Sequence, residues 1–166
     1  MPLEIERRFL LPKAPAHNHP DRLDHTAWLR QGYLVVSPEG ALRIREEEGA
    51  CTLTAKGQGE LAHEECELPI ESADMSALLF RLAVGTPVEK IRHSYIGATY
   101  EYVIDVFEAH LKGLVMMEIE FPSEEAAHAY VLPAWASGAV EVTGNIAYTN
   151  AYLSQKGLPQ RIKPDA

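Results

Sequence analysis

Leu3-Glu4-Ile5-Glu6-Arg7-Arg8-Phe9-Leu10-Leu11 decides how the rest of the chain is read. A β-strand sends successive side chains to opposite faces, so Glu4, Glu6 and Arg8 share one face while Ile5 and Phe9 lie on the other. The alternation recurs in Leu42-Arg43-Ile44-Arg45-Glu46, after Gly49 in Cys51-Thr52-Leu53-Thr54-Ala55-Lys56, and in Glu65-Cys66-Glu67-Leu68 before Pro69. It returns in Val88-Glu89-Lys90-Ile91-Arg92, in Tyr100 to Phe107 beyond Gly97, and in Gly113 to Phe121 before Pro122. With the β-prone run Leu29 to Val36, these make about eight strands with short connections. That pattern suits an antiparallel barrel or sandwich better than a βαβ fold.

Helices interrupt the strands. Ser72 is placed to cap a helix whose Met75, Leu78, Leu79 and Leu82 recur at helical spacing. Ser123 precedes Glu124 and Glu125, acids that suit a first helical turn. A third helix is predicted over Asn145 to Lys156, stopped by Gly157 and Pro159. Pro12 to Asp21 reads as a loop. The expected class is α+β, mainly β, in a single domain covering residues 1–166.

The charged faces carry the functional signal. Alternate positions read Glu4, Glu6, Arg8; Arg43, Arg45; Thr52, Thr54, Lys56; Glu65, Glu67; Lys90, Arg92; Glu101, Asp105; Glu118, Glu120. A solvated outer face accounts for simple alternation. It accounts less well for doublets of one sign, because like charges side by side repel. Paired carboxylates offer oxygens to a hard cation such as Mg²⁺. Paired Arg and Lys offer forked donors and point charges to phosphate. Converging in one barrel, the two sets would hold a polyphosphate together with its metal.

Composition narrows the partners. The 166 residues carry 15 Lys+Arg against 24 Asp+Glu, a net charge of −9 with neutral His, and 46% are hydrophobic. The acidic balance disfavours a nonspecific nucleic-acid or anionic-membrane binder. No apolar run approaches the ~18 residues of a membrane span, and the charged N-terminus does not read as a secretory signal. Cys51 and Cys66 lack metal-ligand spacing and read as buried, reduced thiols, which points to the cytoplasm. A homodimer is compatible with the sequence, which does not fix the oligomeric state.

Glu4-Ile5-Glu6-Arg7-Arg8-Phe9-Leu10 resembles the ExExK signature that opens the CYTH, or triphosphate tunnel metalloenzyme, family. The likeness continues in family order through Arg30-Gln31-Gly32-Tyr33-Leu34, Leu42 to Arg45, Leu53 to Gly57, Glu65 to Leu68, Val88 to Arg92, Ile104 to Phe107, Met117 to Glu120 and Val142-Thr143-Gly144. Among family members the chain is most similar to compact bacterial inorganic tripolyphosphatases. The resemblance implies a closed eight-stranded antiparallel barrel whose tunnel holds a triphosphate, with Mg²⁺ or Mn²⁺ as cofactor. It assigns Glu4, Glu6, Glu118, Glu120 and Asp105 to metal binding. It assigns Arg8, Arg43, Arg45, Lys56, Lys90 and Arg92 to phosphate, and Arg8, Tyr33, Glu6 and Asp105 to catalysis. Glu65 and Glu67 match further acids.

Three departures stand out. The motif's lysine is Arg8 here, and arginine stays charged where lysine can exchange a proton. Val103 occupies a position where relatives often carry an acid, although Glu101 shares that face. Asn145-Ile146-Ala147-Tyr148 replaces a stretch that is commonly basic.

Other features read as structural. His17-Asn18-His19 lacks a ββα context and reads as loop. His63 reads as a surface residue, Trp28 and Trp135 as packing residues, and Gly57-Gln58-Gly59 as a turn. Four functions remain open at this point: hydrolysis of tripolyphosphate or a related small triphosphate, adenylate cyclisation, thiamine triphosphate hydrolysis, and polyphosphate binding without catalysis.

Overall fold

The computed structural model describes residues 3–160. Its strands are β1 (Leu3–Leu10), β2 (Arg22–Ser37), β3 (Gly40–Glu47), β4 (Ala50–Gly57), β5 (Ala62–Ile70), β6 (Val84–Ile96), β7 (Glu101–Phe107), β8 (Val115–Glu120) and the short β9 (Val140–Glu141). Their order is β5-β4-β3-β2-β6-β7-β8-β1, and β5 also pairs with β1, so eight antiparallel strands close on themselves. The closing seam pairs Leu3 with Glu64, Glu4 with His63 and Ile5 with Ala62. Above it the Glu6 amide donates to the Leu61 carbonyl at 3.0 Å. Farther along that edge of β1, β9 takes the place of β5, opposite Phe9 and Leu10. The expected barrel is therefore present, with one added strand and α1 (Ala73–Leu82), α2 (Glu124–Ala129) and α3 (Asn150–Lys156) on its flanks.

Turn chemistry sets the registers. Between β3 and β4 the two linking residues, Glu48 and Gly49, both have positive φ, 48° and 85°. That is the two-residue hairpin turn whose twist matches paired strands. Ser72 Oγ accepts from the Met75 amide and Ser123 Oγ from the Ala126 amide, so both predicted caps form. The third helix starts later than expected. Asn145 caps a 3-10 turn over Ile146–Tyr148, and Thr149 Oγ1 then caps α3 by accepting from the Tyr152 amide.

The apolar core lies mainly outside the barrel wall. Ile5, Phe9, Ile104, Met117 and Ile119 point outward and are covered by Phe121, Ala127 and Ala136. Arg7 fastens this layer, donating to the Ala127 and Tyr130 carbonyls at the end of α2 and pairing with Glu141 on β9. The Pro12–Asp21 loop is anchored too. The Tyr102 hydroxyl donates to Asp21 at 2.6 Å, and the His19 ring packs 4.4 Å from both Tyr95 and Trp135.

A second apolar cluster fills the bottom of the lumen. Val88, Phe107 and Met116 meet Tyr148 and Leu153 from the C-terminal segment. Gly85 permits this close approach. A Cβ there would come within 2.5 Å of the Ser154 carbonyl, and its φ is +72°.

Several expectations are corrected. Cys66 is exposed and Cys51 is half-buried. Met75, Leu78 and Leu82 of α1 are exposed, and Trp28 is 38% exposed. β5 runs through Pro69. This is tolerated because β1 pairs only with Ala62–Glu64, which leaves that edge of β5 without a partner for a backbone donor at Pro69. Among the described residues no helix is long and apolar enough to cross a membrane.

Candidate active site

The registers bring the charged doublets to one place. Arg8 faces Glu118 and Glu6 faces Glu120 across β1–β8. Arg43 and Arg45 lie opposite Tyr33 and Gln31, and Lys56 lies opposite Glu65. A cavity of about 1310 Å³ is lined by Glu4, Glu6, Arg8, Tyr33, Arg43, Arg45, Lys56, Glu65, Glu67, Lys90, Arg92, Glu118 and Glu120. It exceeds the ~300–1,000 Å³ of an ordinary small-molecule pocket, leaving room for ions and water beside an anion. All but one of the residues to which the resemblance assigns a site role line this space. The exception is Asp105, which shares the inner face but is fully buried beneath Lys90 and Arg92; Glu101, given no role, is exposed.

Asp105 is fully buried and organises two of the bases. Lys90 Nζ donates to its Oδ2 at 2.5 Å; Arg92 donates to Oδ1 at 2.7 Å and to Oδ2 at 2.8 Å. Burial alone would raise its pKa, but the Arg92 and Lys90 cations outweigh burial and hold it well below the usual carboxylate range. Both of its oxygens are thus occupied by bases, an arrangement different from the metal-ligand role implied by the sequence resemblance. Arg92 reaches onward to Glu118 at 3.1 Å.

The other ion pairs are loose. Arg43 stands 3.7 Å from Glu65, Arg45 3.7 Å from Glu67, Lys56 3.4 Å from Glu6 and 3.9 Å from Glu65, and Arg8 3.8 Å from Glu6. Most of these separations exceed hydrogen-bond length. The Nε atoms of Arg8 and Arg43 are buried with no hydrogen-bond partner among the described residues. Buried donors left this way are costly unless something else satisfies them. The wall therefore presents unsatisfied cationic donors to the lumen. Arg8 is itself held in place: its amide donates to Thr143 Oγ1, and its guanidinium donates to the Tyr148 carbonyl at 3.3 Å. Tyr33 is buried, which raises its pKa against the pull of the Arg43 cation, so it is a neutral hydrogen-bond donor.

The acids gather along β1 and its two neighbours. Burial raises Glu4, and repulsion from Glu65 and Glu120 adds to it. Burial likewise raises Glu120, with Glu6 and Glu118 adding to it. Burial also presses upward on Glu6, but Lys56, Arg8 and His63 bring it below the usual range. Glu65 is brought down to about 2 despite burial, by His63, Arg43 and Lys56. Carboxylates that repel one another inside a cavity are a donor set a divalent cation fits.

Two lumen residues escaped the sequence reading. His63, expected at the surface, is 2% exposed and faces Glu4 across the barrel seam. The signal was its position two residues before Glu65, on the same strand face. Gln31 is 1% exposed, with its Oε1 unpartnered among the described residues, two residues before Tyr33.

A closed barrel with acids and bases turned inward offers one cavity in which a polyvalent anion and a cation would each find ligands. Comparison with known proteins agrees: the CYTH domain matches residues 2–132, and the chain belongs to that family. It is 36% identical over 155 residues to the inorganic triphosphatase of Nitrosomonas europaea, covering 91% of this chain and 96% of that protein. It is 29% identical over 151 residues to the inorganic triphosphatase of Acetivibrio thermocellus, covering 90% and 92%. The crystal structure of the inorganic triphosphatase NE1496 superposes with a TM-score of 0.66 at 34% identity, covering 93% of this chain and 95% of that one.

Proposed function

We propose that this chain is a triphosphatase that hydrolyses inorganic tripolyphosphate, or a related small triphosphate, with Mg²⁺ or Mn²⁺. The observation that carries this reading is the pair of buried guanidinium Nε donors of Arg8 and Arg43, unpartnered among the described residues, in a lumen also lined by Glu4, Glu6, Glu118 and Glu120. The names of the two relatives support the substrate class.

Arg8, Arg43, Arg45, Lys56, Lys90 and Arg92 bind the phosphate chain, with forked guanidinium donors suited to paired phosphoryl oxygens. Glu4, Glu6, Glu118 and Glu120 would hold the cation, which when bound neutralises phosphoryl charge and lowers the pKa of a coordinated water. Asp105 acts as a positioning residue that fixes Lys90 and Arg92. Tyr33 donates to a phosphoryl oxygen beside Arg43. Glu65 and Glu67 hold Arg43, Lys56 and Arg45 apart for the substrate. Water attacks the terminal phosphorus, the anhydride P–O bond breaks, and the diphosphate fragment leaves with the electron pair. Most of the rate comes from positioning and charge neutralisation.

A substrate panel tests the assignment. Tripolyphosphate with Mg²⁺ or Mn²⁺ is expected to release phosphate faster than pyrophosphate, ATP or thiamine triphosphate. Cyclic AMP from ATP would identify a lyase instead, and binding without phosphate release would identify a non-catalytic module.

Arg8 supplies charge rather than a proton, because a guanidinium does not deprotonate near neutral pH. Arg8→Lys is therefore expected to keep kcat within about threefold, whereas Arg8→Gln loses about 100-fold, the order seen when one transition-state donor is removed. A large gain in Arg8→Lys would show that proton exchange at this position limits the rate.

The raised Glu4 and Glu120 set the pH dependence. Protons compete with the cation, so affinity weakens on acidification from above the ordinary ~4.3 of a glutamate. A carboxylate raised by folding costs stability once ionised, and cation binding relieves that cost. Glu65 behaves oppositely: its contribution is present above ~4.3 and is lost as pH falls towards about 2. Mn²⁺ at about 100 times its Kd is expected to stabilise the protein by about 2.7 kcal/mol near neutral pH. Calorimetry should show that increment shrinking as pH falls towards the ordinary carboxylate range. An increment independent of pH would contradict the role given to these acids.

A further inference from the structure

We propose that Glu4, His63 and Glu65 form a second cation site on the β1–β5 seam, one that takes a first-row transition dication through a nitrogen ligand. The inference deepens the reading of the lumen as a metal and triphosphate site, and rests on it.

Three observations carry it. First, His63 is 2% exposed, and its Nε2 has no hydrogen-bond partner among the described residues. A buried ring nitrogen without a partner calls for one. Second, that nitrogen points at two carboxylates, standing 3.5 Å from Glu4 Oε2 and 3.7 Å from Glu65 Oε2. One ligand atom from each of the three residues lies within 4.8 Å of the others. The edge of a tetrahedron with metal–ligand bonds of 2.0–2.2 Å is about 3.4 Å, so small side-chain adjustments bring all three onto one ion. Third, the placement is built into the backbone. Glu4 and His63 are register partners at the barrel closure, and Glu65 follows on the same face. The tight turn before β5 backs His63: a Cβ on Gly59 would lie 1.6 Å from the Ala62 carbonyl and 3.2 Å from His63 Cβ.

Ligand chemistry sets the preference. An all-oxygen set suits Mg²⁺, which demands near-ideal octahedral geometry and keeps its waters. Adding an imidazole shifts the site towards the softer dications of the Mn²⁺ to Zn²⁺ series. The acids on the other side of β1, Glu6, Glu118 and Glu120, lack a nitrogen. Glu4 lies between the two sets, and a carboxylate can bridge ions about 3.5–4 Å apart. The lumen thus offers one oxygen-only position and one mixed position.

Mn²⁺ alone, titrated into the full-length protein and followed by electron paramagnetic resonance, tests this. The wild type is expected to bind two Mn²⁺ per chain, one showing ¹⁴N coupling from a coordinated imidazole. His63→Gln should lose the nitrogen coupling and one Mn²⁺, while the remaining Mn²⁺ affinity stays within about threefold. Glu120→Gln should keep the nitrogen coupling. Absence of ¹⁴N coupling in the wild type, or its persistence in His63→Gln, overturns the proposal; the wild-type spectrum decides even if the variant fails to fold. Phosphate release from tripolyphosphate with Mg²⁺, measured on the same preparation, separates the two readings. Release without nitrogen coupling defeats this site alone. Nitrogen coupling without release defeats the hydrolase assignment and leaves the cation site standing.

Discussion

Glu6→Gln is expected to lower kcat on tripolyphosphate by about 10²–10³-fold while the barrel stays folded. The substitution is isosteric, and Glu6 makes only loose contacts, 3.4 Å to Lys56 and 3.8 Å to Arg8, so little packing is lost. What is lost is a negative charge directly opposite Glu120 across the β1–β8 pair. Removing one preorganised electrostatic contact of this kind typically costs two to three powers of ten in turnover. The same change removes an anion from the substrate cavity, so tripolyphosphate should bind the metal-free variant no more weakly than it binds the metal-free wild type. Steady-state kinetics and calorimetric titration together check the split between rate and binding. Full activity in Glu6→Gln would contradict the assignment of the β1 acids to the cation.

Asp105→Asn is expected to reduce the free energy of unfolding by about 3–5 kcal/mol, the usual consequence of removing one partner from a buried ion pair. Lys90 and Asp105 are both 0% exposed, and Asp105 accepts from Lys90 and twice from Arg92. An amide can still accept from one of them but cannot balance two cations. The pH window should move as well, from the acid side to the alkaline side. In the wild type the depressed Asp105 contributes stability that is present above the unfolded value of ~3.9 and lost as pH falls below it. In Asp105→Asn that acid-side loss disappears. The buried Lys90, which burial already pushes below its ordinary value, then gains stability as pH rises, because releasing its proton removes an uncompensated charge. Urea unfolding across pH measures both. A variant as stable as the wild type would show that this cluster is solvated in solution.

The sequence exposed the site more clearly than it exposed the edges of the fold. Alternation placed Glu4, Glu6 and Arg8 together, and like-sign doublets placed Arg43, Arg45, Glu65, Glu67, Glu118 and Glu120 on matching faces. Period-two alternation survives any register, so these assignments did not need to know which strand pairs with which. His63 needed that knowledge: its partner Glu4 lies 59 positions earlier and meets it only when the barrel closes. Asp105 shares the face of the bases it serves, yet the sequence could not show that Lys90 and Arg92 take both its oxygens. The length of β2 was hidden for another reason: its first five residues, Arg22 to Thr26, are exposed and carry no hydrophobic period. The exposure of Cys66 was hidden because alternation does not say which outer faces the helices cover. Local signals did better, because the caps at Ser72 and Ser123 depend on neighbours three residues away.

The central claim is that one lumen holds an anion and its cation together. A crystal structure of Glu6→Gln grown with tripolyphosphate and Mn²⁺, with anomalous scattering to locate the metal, tests it most directly. The expected result is a phosphate chain inside the barrel, bonded to Arg8, Arg43, Arg45 and Arg92, with Mn²⁺ bridging it to Glu118 and Glu120. Tripolyphosphate bound on the outer surface, or a lumen filled only with water at saturating ligand, would contradict the account.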